Sequence, residues 1–346
     1  MIRKWEMVIT YSIAHFIIDF ACAIMLFSML LGTETWYLCV LIYNFCAFAM
    51  QMPLGLIADK WNRNAIFACI GCMLVALSFG FIAIPMIAAI VAGIGNGMFH
   101  VGGGIDVLNM SHRKSSALGV FVSPGAFGIY FGRLLGKQHQ ISLLLILAVL
   151  LLITMFILIT QYHFKKSFLS DNSPLSFQVN YSNGILLAVV CLFLVVCLRS
   201  YVGMLLNFTW KAQWQWAVIL TCGVVFGKCS GGFVSDKFGA IKASAFSLGI
   251  ASLLFLFAQN PIIGILGVFL FNMTMPITLW AIARILPGAK GFTFGLLTFG
   301  LFLGFIPVYL GLPPLFTSNI SFAVASLLSL LLLFFGLKKG GNYQVI

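Results

Sequence analysis

Long apolar runs separated by short polar breaks occupy most of the 346 residues. Twelve runs fall near 7–31, 36–57, 64–83, 85–108, 116–136, 140–160, 184–206, 212–234, 241–258, 261–284, 291–312 and 319–337. Each approaches the roughly 20 apolar residues that an α-helix needs to cross a bilayer. Twelve such helices use about 240 residues, which leaves short loops and no room for a second soluble domain. The pattern predicts an all-α polytopic membrane protein with twelve transmembrane helices. Only residues 161–183, with Lys165, Lys166, Asp171 and Pro174, make a long polar segment. It reads as a cytoplasmic linker between two six-helix halves, 1–160 and 184–346.

One polar break occurs twice. Gly55-Leu-Ile-Ala-Asp59-Lys60-Trp-Asn-Arg63 returns as Gly232-Phe-Val-Ser-Asp236-Lys237-Phe-Gly239. The two aspartates lie 177 positions apart, about half the chain. A repeat of that length marks two similar halves. Both copies follow an apolar run and carry a lysine, so both read as cytoplasmic loops separated by an even number of spans. That is a parallel duplication. Gly55 and Gly232 allow close helix approach. Asp59 and Asp236 can accept bonds from helix N-termini and from basic residues. With Lys60, Arg63 and Lys237 they form a candidate cytoplasmic gate. A tight turn carrying topogenic charge is the plainer explanation, and the duplication at matching depth favours the gate.

Composition and charge sharpen the class. The chain is 62% hydrophobic and 8% charged, against roughly a quarter charged in soluble domains. The net charge of +12 would suggest nucleic acid in a soluble protein. Here the cations sit between apolar runs, so membrane topology and anionic headgroups account for them and no nucleic-acid partner is expected. Fourteen cations fall on one side of the twelve-span layout. Arg133, Lys137 and Lys211 fall on the other, and Arg199 and Lys228 within spans. The positive-inside rule makes the richer side, with both termini, cytoplasmic. Trp210, Trp214 and Trp216 read as an interfacial aromatic belt. Of nine cysteines, Cys69 and Cys72 form a CxxC on a membrane helix. With no second pair and no nearby His, they read as packing residues, and neither metal nor cofactor is expected.

Ionisable residues inside spans are costly and point to function. His15 and Asp19 share a helix face four residues apart, and His titrates near neutral pH. They are the first candidates for proton coupling, with His100 and Asp106 in the fourth span. Arg199 in the seventh span is the best anion ligand, because its guanidinium stays charged and grips carboxylate or phosphonate through two bonds. Asn44, Asn96 and Asn272 are candidates to line a substrate cavity, with interhelical hydrogen bonding an equal alternative. Pro276 and Pro307 mark bends that an alternating cycle can use. No metal triad, nucleophile elbow or phosphate loop is legible, which argues against an enzyme. A receptor or scaffold would not need the duplicated gate.

The Gly-x-x-x-Asp-Lys-x-x-Arg loop between spans two and three resembles the signature loop of the major facilitator superfamily. The resemblance narrows through Ala14-His15 to Asp19, Gly93-Ile-Gly95-Asn96 to Phe99-His100, and Phe121-Val-Ser-Pro-Gly125-Ala-Phe-Gly128 with Gly132. Leu286-Pro287-Gly288 and the stretch from Gly291 to Gly304 fit as well. These motifs are similar to the fosmidomycin-resistance efflux family. The resemblance implies a twelve-helix proton-coupled exporter of small organic compounds or drugs in a bacterial cytoplasmic membrane, expected to act as a monomer. Two positions depart from that family. Its Phe-His is followed by Pro-Glu, where Val101-Gly102 stands here, and its Gly-Pro in span five is Gly132-Arg133. Asp106 lies one helical turn beyond the missing acid. Uptake by symport is the alternative direction.

Overall fold

The computed structural model describes residues 2–111, 114–139, 141–168, 175–177 and 184–341. Arg113, Asp171 and Pro174 lie outside the described residues, as do the side chains of Arg3, Lys4, Lys165 and Lys166. The described chain is helical almost throughout, and the expected twelve spans are present.

Eleven helices are long and apolar enough to cross a membrane. They are α1 Trp5–Leu30, α2 Trp36–Trp61, α3 Asn64–Phe81, α4 Pro85–Ser111, α5 Ser116–Lys137, α6 Leu143–His163, α7 Ile185–Leu205, α8 Trp214–Phe238, α10 Pro261–Ile285, α11 Lys290–Tyr309 and α12 Asn319–Gly340. The twelfth, α9 Ala240–Leu256, is apolar but shorter. The helix of α6 continues to Phe168, into the stretch read as linker. Its outer face exposes Leu144, Leu151, Leu152 and Met155, as a lipid-facing helix does.

The two copies of the repeated loop end their helices alike. Asn62 closes α2 in the left-handed region, and its N–H reaches Ala58 O at 2.8 Å. Gly239 closes α8 with φ +88°, and its N–H reaches Ser235 O at 2.8 Å. Each stands three residues after its aspartate. A positive φ just past the last turn is a common helix stop, and Asn and Gly tolerate it best.

Two compact units emerge from the packing. The first holds residues 1–112, 120–176 and 288–296, and the second residues 113–119, 177–287 and 297–346. Each unit thus includes a short segment distant in sequence: the start of α11 in the first and the start of α5 in the second. In the first unit α4 runs through the interior, and nearly every residue from Gly95 to Ser111 is buried. Its glycines admit neighbours at backbone range. A side chain on Gly102 would overlap Asn64 O of α3, so no glutamate fits where the resembled family carries one. The core of the second unit includes Leu192, Val195, Leu248, Phe255, Phe271 and Ile277.

One tryptophan departs from the aromatic-belt expectation. Trp210 is buried, stacks on Phe208 with centroids 4.8 Å apart, and donates Nε1–H to Ala258 O at 2.9 Å. A fully bonded indole inside the unit is packing. Trp214 is 70% exposed and keeps the belt character. Cys69 and Cys72 are both buried free thiols.

Candidate functional site

The first unit gathers its polar groups around α1 and α4. The assembly begins with Pro124. Proline has no N–H, so the carbonyl of Val120, four residues earlier, loses its helical donor. Ser12 Oγ, whose one hydrogen is shared with Val8 O at 2.7 Å, lies 3.2 Å from that carbonyl. The helix is interrupted between Val122 and Gly125, and the carbonyl of Phe121 takes His15 Nδ1 at 2.7 Å. Gly125 then passes over the result. A Cβ there would overlap both His15 Nε2 and Asp19 Oδ2. The Ser-Pro-Gly run is therefore what opens α5 to receive the histidine.

His15, Asp19 and His100 converge, all more than nine-tenths buried. His15 Nε2 lies 3.2 Å from Asp19 Oδ2, and His100 Nε2 lies 3.8 Å from Asp19 Oδ1. The two Nε2 atoms are 2.8 Å apart, and the rings meet edge to face at 86°. Asn96 Nδ2 donates to Asp19 Oδ1 at 2.9 Å. His100 Nδ1 bonds Asn96 O at 2.8 Å. Phe99 and Phe121 wall the site, with ring centroids 6.3 and 5.1 Å from His15. Three potential ligand atoms from these residues lie within 4.8 Å of one another; the three residues are candidates together in the sequence, but their contact is not readable there because His100 is far from the α1 pair. The spacing between nitrogens suits a hydrogen bond. Two imidazoles on a tetrahedral zinc, with Zn–N near 2.0–2.1 Å, would stand about 3.3 Å apart.

Asp106 joins a different set. Its carboxylate accepts from Tyr11 Oη at 2.6 Å and Asn64 Nδ2 at 3.0 Å. It lies six residues beyond His100 on α4, about 9 Å of helix rise. Tyr11 and Asn64 carried no functional expectation. Tyr11 has a signal in hindsight, one turn from His15 on the same helix.

The second unit holds the opposite charge. Arg199 on α7 is buried, and its Nη2 donates to Thr274 Oγ1 at 3.0 Å and Thr278 Oγ1 at 3.1 Å. The hydroxyls donate in turn to Phe271 O and Thr274 O. They stand four residues apart on α10 and so share one face, a spacing readable in the sequence once Arg199 is in view. Among the described residues no carboxylate lies within ion-pair distance of Arg199. The composition explains this. The second unit has ten Lys or Arg and a single acid, Asp236, which is engaged elsewhere.

The three asparagines divide. Asn96 belongs to the Asp19 cluster. Asn44 donates to Val40 O and Asn272 to Val268 O, each within its own helix. Half-buried Asn272 ends the first part of α10, and the break at Met273 precedes Pro276.

The repeated loops make matching contacts. Asp59 accepts from Gly291 N at 2.8 Å and Phe292 N at 2.9 Å, in the first turn of α11. Asp236 accepts from Ser115 N at 2.6 Å and Ser116 N at 3.1 Å, at the start of α5, and from Ser115 Oγ. Both aspartates thus satisfy unpaired N–H groups at a helix N-terminus, where negative charge is favoured. The glycine one turn earlier admits the contact. A Cβ on Gly55 would overlap Gly291 O, and one on Gly232 would come within 2.7 Å of Ser115 O. Lys60, Arg63 and Lys237 are exposed, and Lys237 lies over the Phe238 ring.

No family model matches the chain, and no curated protein matches it in sequence. Solved structures do match. The E. coli fucose:proton symporter FucP aligns with TM-score 0.62 at 14% identity, over 95% of this chain and 98% of that one. A bacterial homologue of the iron transporter ferroportin, in an outward-facing state, aligns with TM-score 0.59 at 13% identity, over 97% of this chain and 98% of that one. A second structure of such a homologue, with soaked iron, gives 0.60 at 14% over 99% of each. With twelve apolar helices in this arrangement, the chain is a multi-pass membrane protein with the major facilitator fold.

Proposed function

We propose that the protein is a secondary active transporter that expels a small anionic organic compound in exchange for protons, by alternating access across a bacterial cytoplasmic membrane. The observation that carries this reading is a division of labour. One unit buries a His15–Asp19–His100 cluster, and the other buries Arg199, whose bonds among the described residues are to the neutral hydroxyls of Thr274 and Thr278. A buried cation held by neutral partners is under-compensated, so an anionic substrate supplies what the protein lacks. A buried imidazole–carboxylate cluster is a ready proton site inside a membrane span.

In this reading Asp59 and Asp236 brace the cytoplasmic closure by holding the starts of α11 and α5. The bodies that move are the six-helix halves 1–160 and 184–346, and both termini face the cytoplasm. Asp106, bonded to Tyr11, is a secondary proton group. Asn44 and Asn272 contribute to substrate contact only if they exchange their intrahelical bonds. The motif likeness to the fosmidomycin-resistance family supports export. The fold likeness to a fucose:proton symporter supports a second reading, uptake by symport, with the same coupling cluster and the opposite direction.

Purified protein in proteoliposomes tests the proposal. An imposed pH gradient should drive flux of small phosphonates and carboxylates, and the orientation of the gradient needed gives the direction. Flux of neutral sugars in place of anions would remove Arg199 from the substrate site. Anion flux indifferent to the gradient would remove proton coupling.

A further inference from the structure

Within the cluster, the hydrogen bonds fix where a proton must be. Backbone carbonyls accept and never donate. His15 Nδ1 faces Phe121 O at 2.7 Å, and His100 Nδ1 faces Asn96 O at 2.8 Å. Both Nδ1 atoms therefore carry hydrogen. If both rings are neutral, both Nε2 atoms present lone pairs, and these point at each other across 2.8 Å. That is hydrogen-bond range with nothing to bond. Protonating Asp19 does not cure it. An Asp19 hydroxyl could donate to one Nε2, yet the two lone pairs would still oppose each other. One additional proton on Nε2 does cure it.

We infer that His15 and His100 share a single proton between their Nε2 atoms, and that Asp19 is the ionised counter-charge fixed beside them by Asn96. This rests on the reading that the cluster couples transport. It adds that the carried proton belongs to the imidazole pair and that Asp19 is a positioning residue. With the proton in place the cluster is neutral: one imidazolium, one imidazole and one carboxylate. On release, the Nε2–H bond breaks and the proton leaves to water. Two neutral rings and a carboxylate remain, with net charge −1. The lone pairs then repel, so α1 and α4 lose one of the two bonds that join them at this depth, and the Asn96–Asp19 bond remains. Proton loss thereby weakens the join between two helices within one unit, leaving Asn96–Asp19 and Tyr11–Asp106 to hold it.

The surroundings leave the pair little else to trade with. On α1, Tyr11 is one turn away and bonded to Asp106 of α4, and Cys22 receives a long contact from Asn96. From α2, Tyr43 and Cys46 approach. Tyr43 bonds Cys22 and lies within electrostatic reach of Asp19, and Cys46 packs on Gly93. From α3, Cys69 and Cys72 lie towards Tyr11. The α5 segment over the pair presents Gly125 and the Phe121 carbonyl.

The test uses the full chain with His112, His139 and His163 each changed to Gln, so that only this pair remains, labelled with 15N-histidine in nanodiscs. At neutral pH the expected spectrum has both Nδ1 atoms protonated and a through-bond coupling between the two Nε2 nitrogens. A titration should remove one proton per pair. In parallel, His100→Gln offers a neutral amide donor to His15 Nε2. It should abolish the response of flux to a pH gradient while retaining exchange between equal substrate pools. If His100→Gln does not fold, the spectrum still decides. Either ring with a bare Nδ1 would overturn the shared proton. So would one equivalent of a bound transition metal in the purified protein that disappears in His15→Gln. A shared proton in a protein whose wild-type flux ignores the gradient would support this inference and sink the coupling reading. Gradient-driven flux that survives in His100→Gln would overturn the pair as carrier.

Discussion

The two units share a frame and differ in what they bury. Each ends a helix with glycine, then aspartate, then a left-handed stop, and each aspartate holds the start of a helix from the other half of the sequence. At the buried sites the likeness ends. The first unit has six acids and nine Lys or Arg, and buries a carboxylate against two imidazoles, Asp19 with His15 and His100. The second has one acid among ten Lys or Arg, and buries a guanidinium that stays charged. A duplicated scaffold thus keeps its braces and lets its interiors diverge. The braces serve backbone groups that every helix start exposes, whereas each interior is free to specialise.

The largest effect that would break this comparison is at Gly125. A methyl there would overlap His15 Nε2 and Asp19 Oδ2. Gly125→Ala should therefore abolish gradient-driven flux, while anion binding to the second unit persists in a thermal-shift assay. Loss of anion binding as well would mean the two sites are not separable. Next is Arg199. Arg199→Ala should weaken phosphonate binding by roughly 30-fold or more, the scale for removing one partner of a buried charged pair. It should leave any neutral ligand nearly unaffected. Arg199→Lys should fall between, because the planar fork is lost and the charge kept. Titration calorimetry of anionic and neutral ligands separates these outcomes.

How much of this was legible in the sequence follows from the range of the interactions. Span lengths are set by the bilayer, so the twelve helices could be read one by one. The loop motif was legible because it occurs twice, but its partners were not, since Gly291 stands 232 positions from Asp59. His15 and Asp19 are neighbours on one helix, whereas the arrival of His100 needs α4 folded against α1. Asn44 and Asn272 show the limit. A polar side chain in a span can bond the carbonyl four residues back as easily as line a cavity, and nothing local distinguishes the two. Trp210 looked interfacial because it sits beside Trp214 and Trp216, and only the position of Ala258 makes it core.

Smaller effects sharpen the likeness between the units. Asp59→Asn and Asp236→Asn should each slow transport with ligand binding retained, since the amide keeps one acceptor oxygen but loses the second and the negative charge, which is worth about 0.3–1 kcal/mol at a helix N-terminus. Similar rates for the two variants would support equivalent braces, and a severe loss in one alone would make them unequal. Cysteine accessibility measures the accompanying shift in which side is open. The smallest perturbation is topological. Single cysteines at positions 60, 114, 166, 237 and 338 in a Cys-less protein should all label from the cytoplasmic side. Labelling of 60 and 237 from opposite faces would undo the parallel duplication.

The division of proton and anion between units is tested most directly by comparing two fluxes in two variants. Gradient-driven flux and equal-pool exchange of a phosphonate are measured in proteoliposomes for His100→Gln and Arg199→Ala. The account predicts that His100→Gln loses the first and keeps the second, while Arg199→Ala loses both. Loss of gradient response alone in Arg199→Ala, or equal loss of both fluxes in His100→Gln, would contradict it.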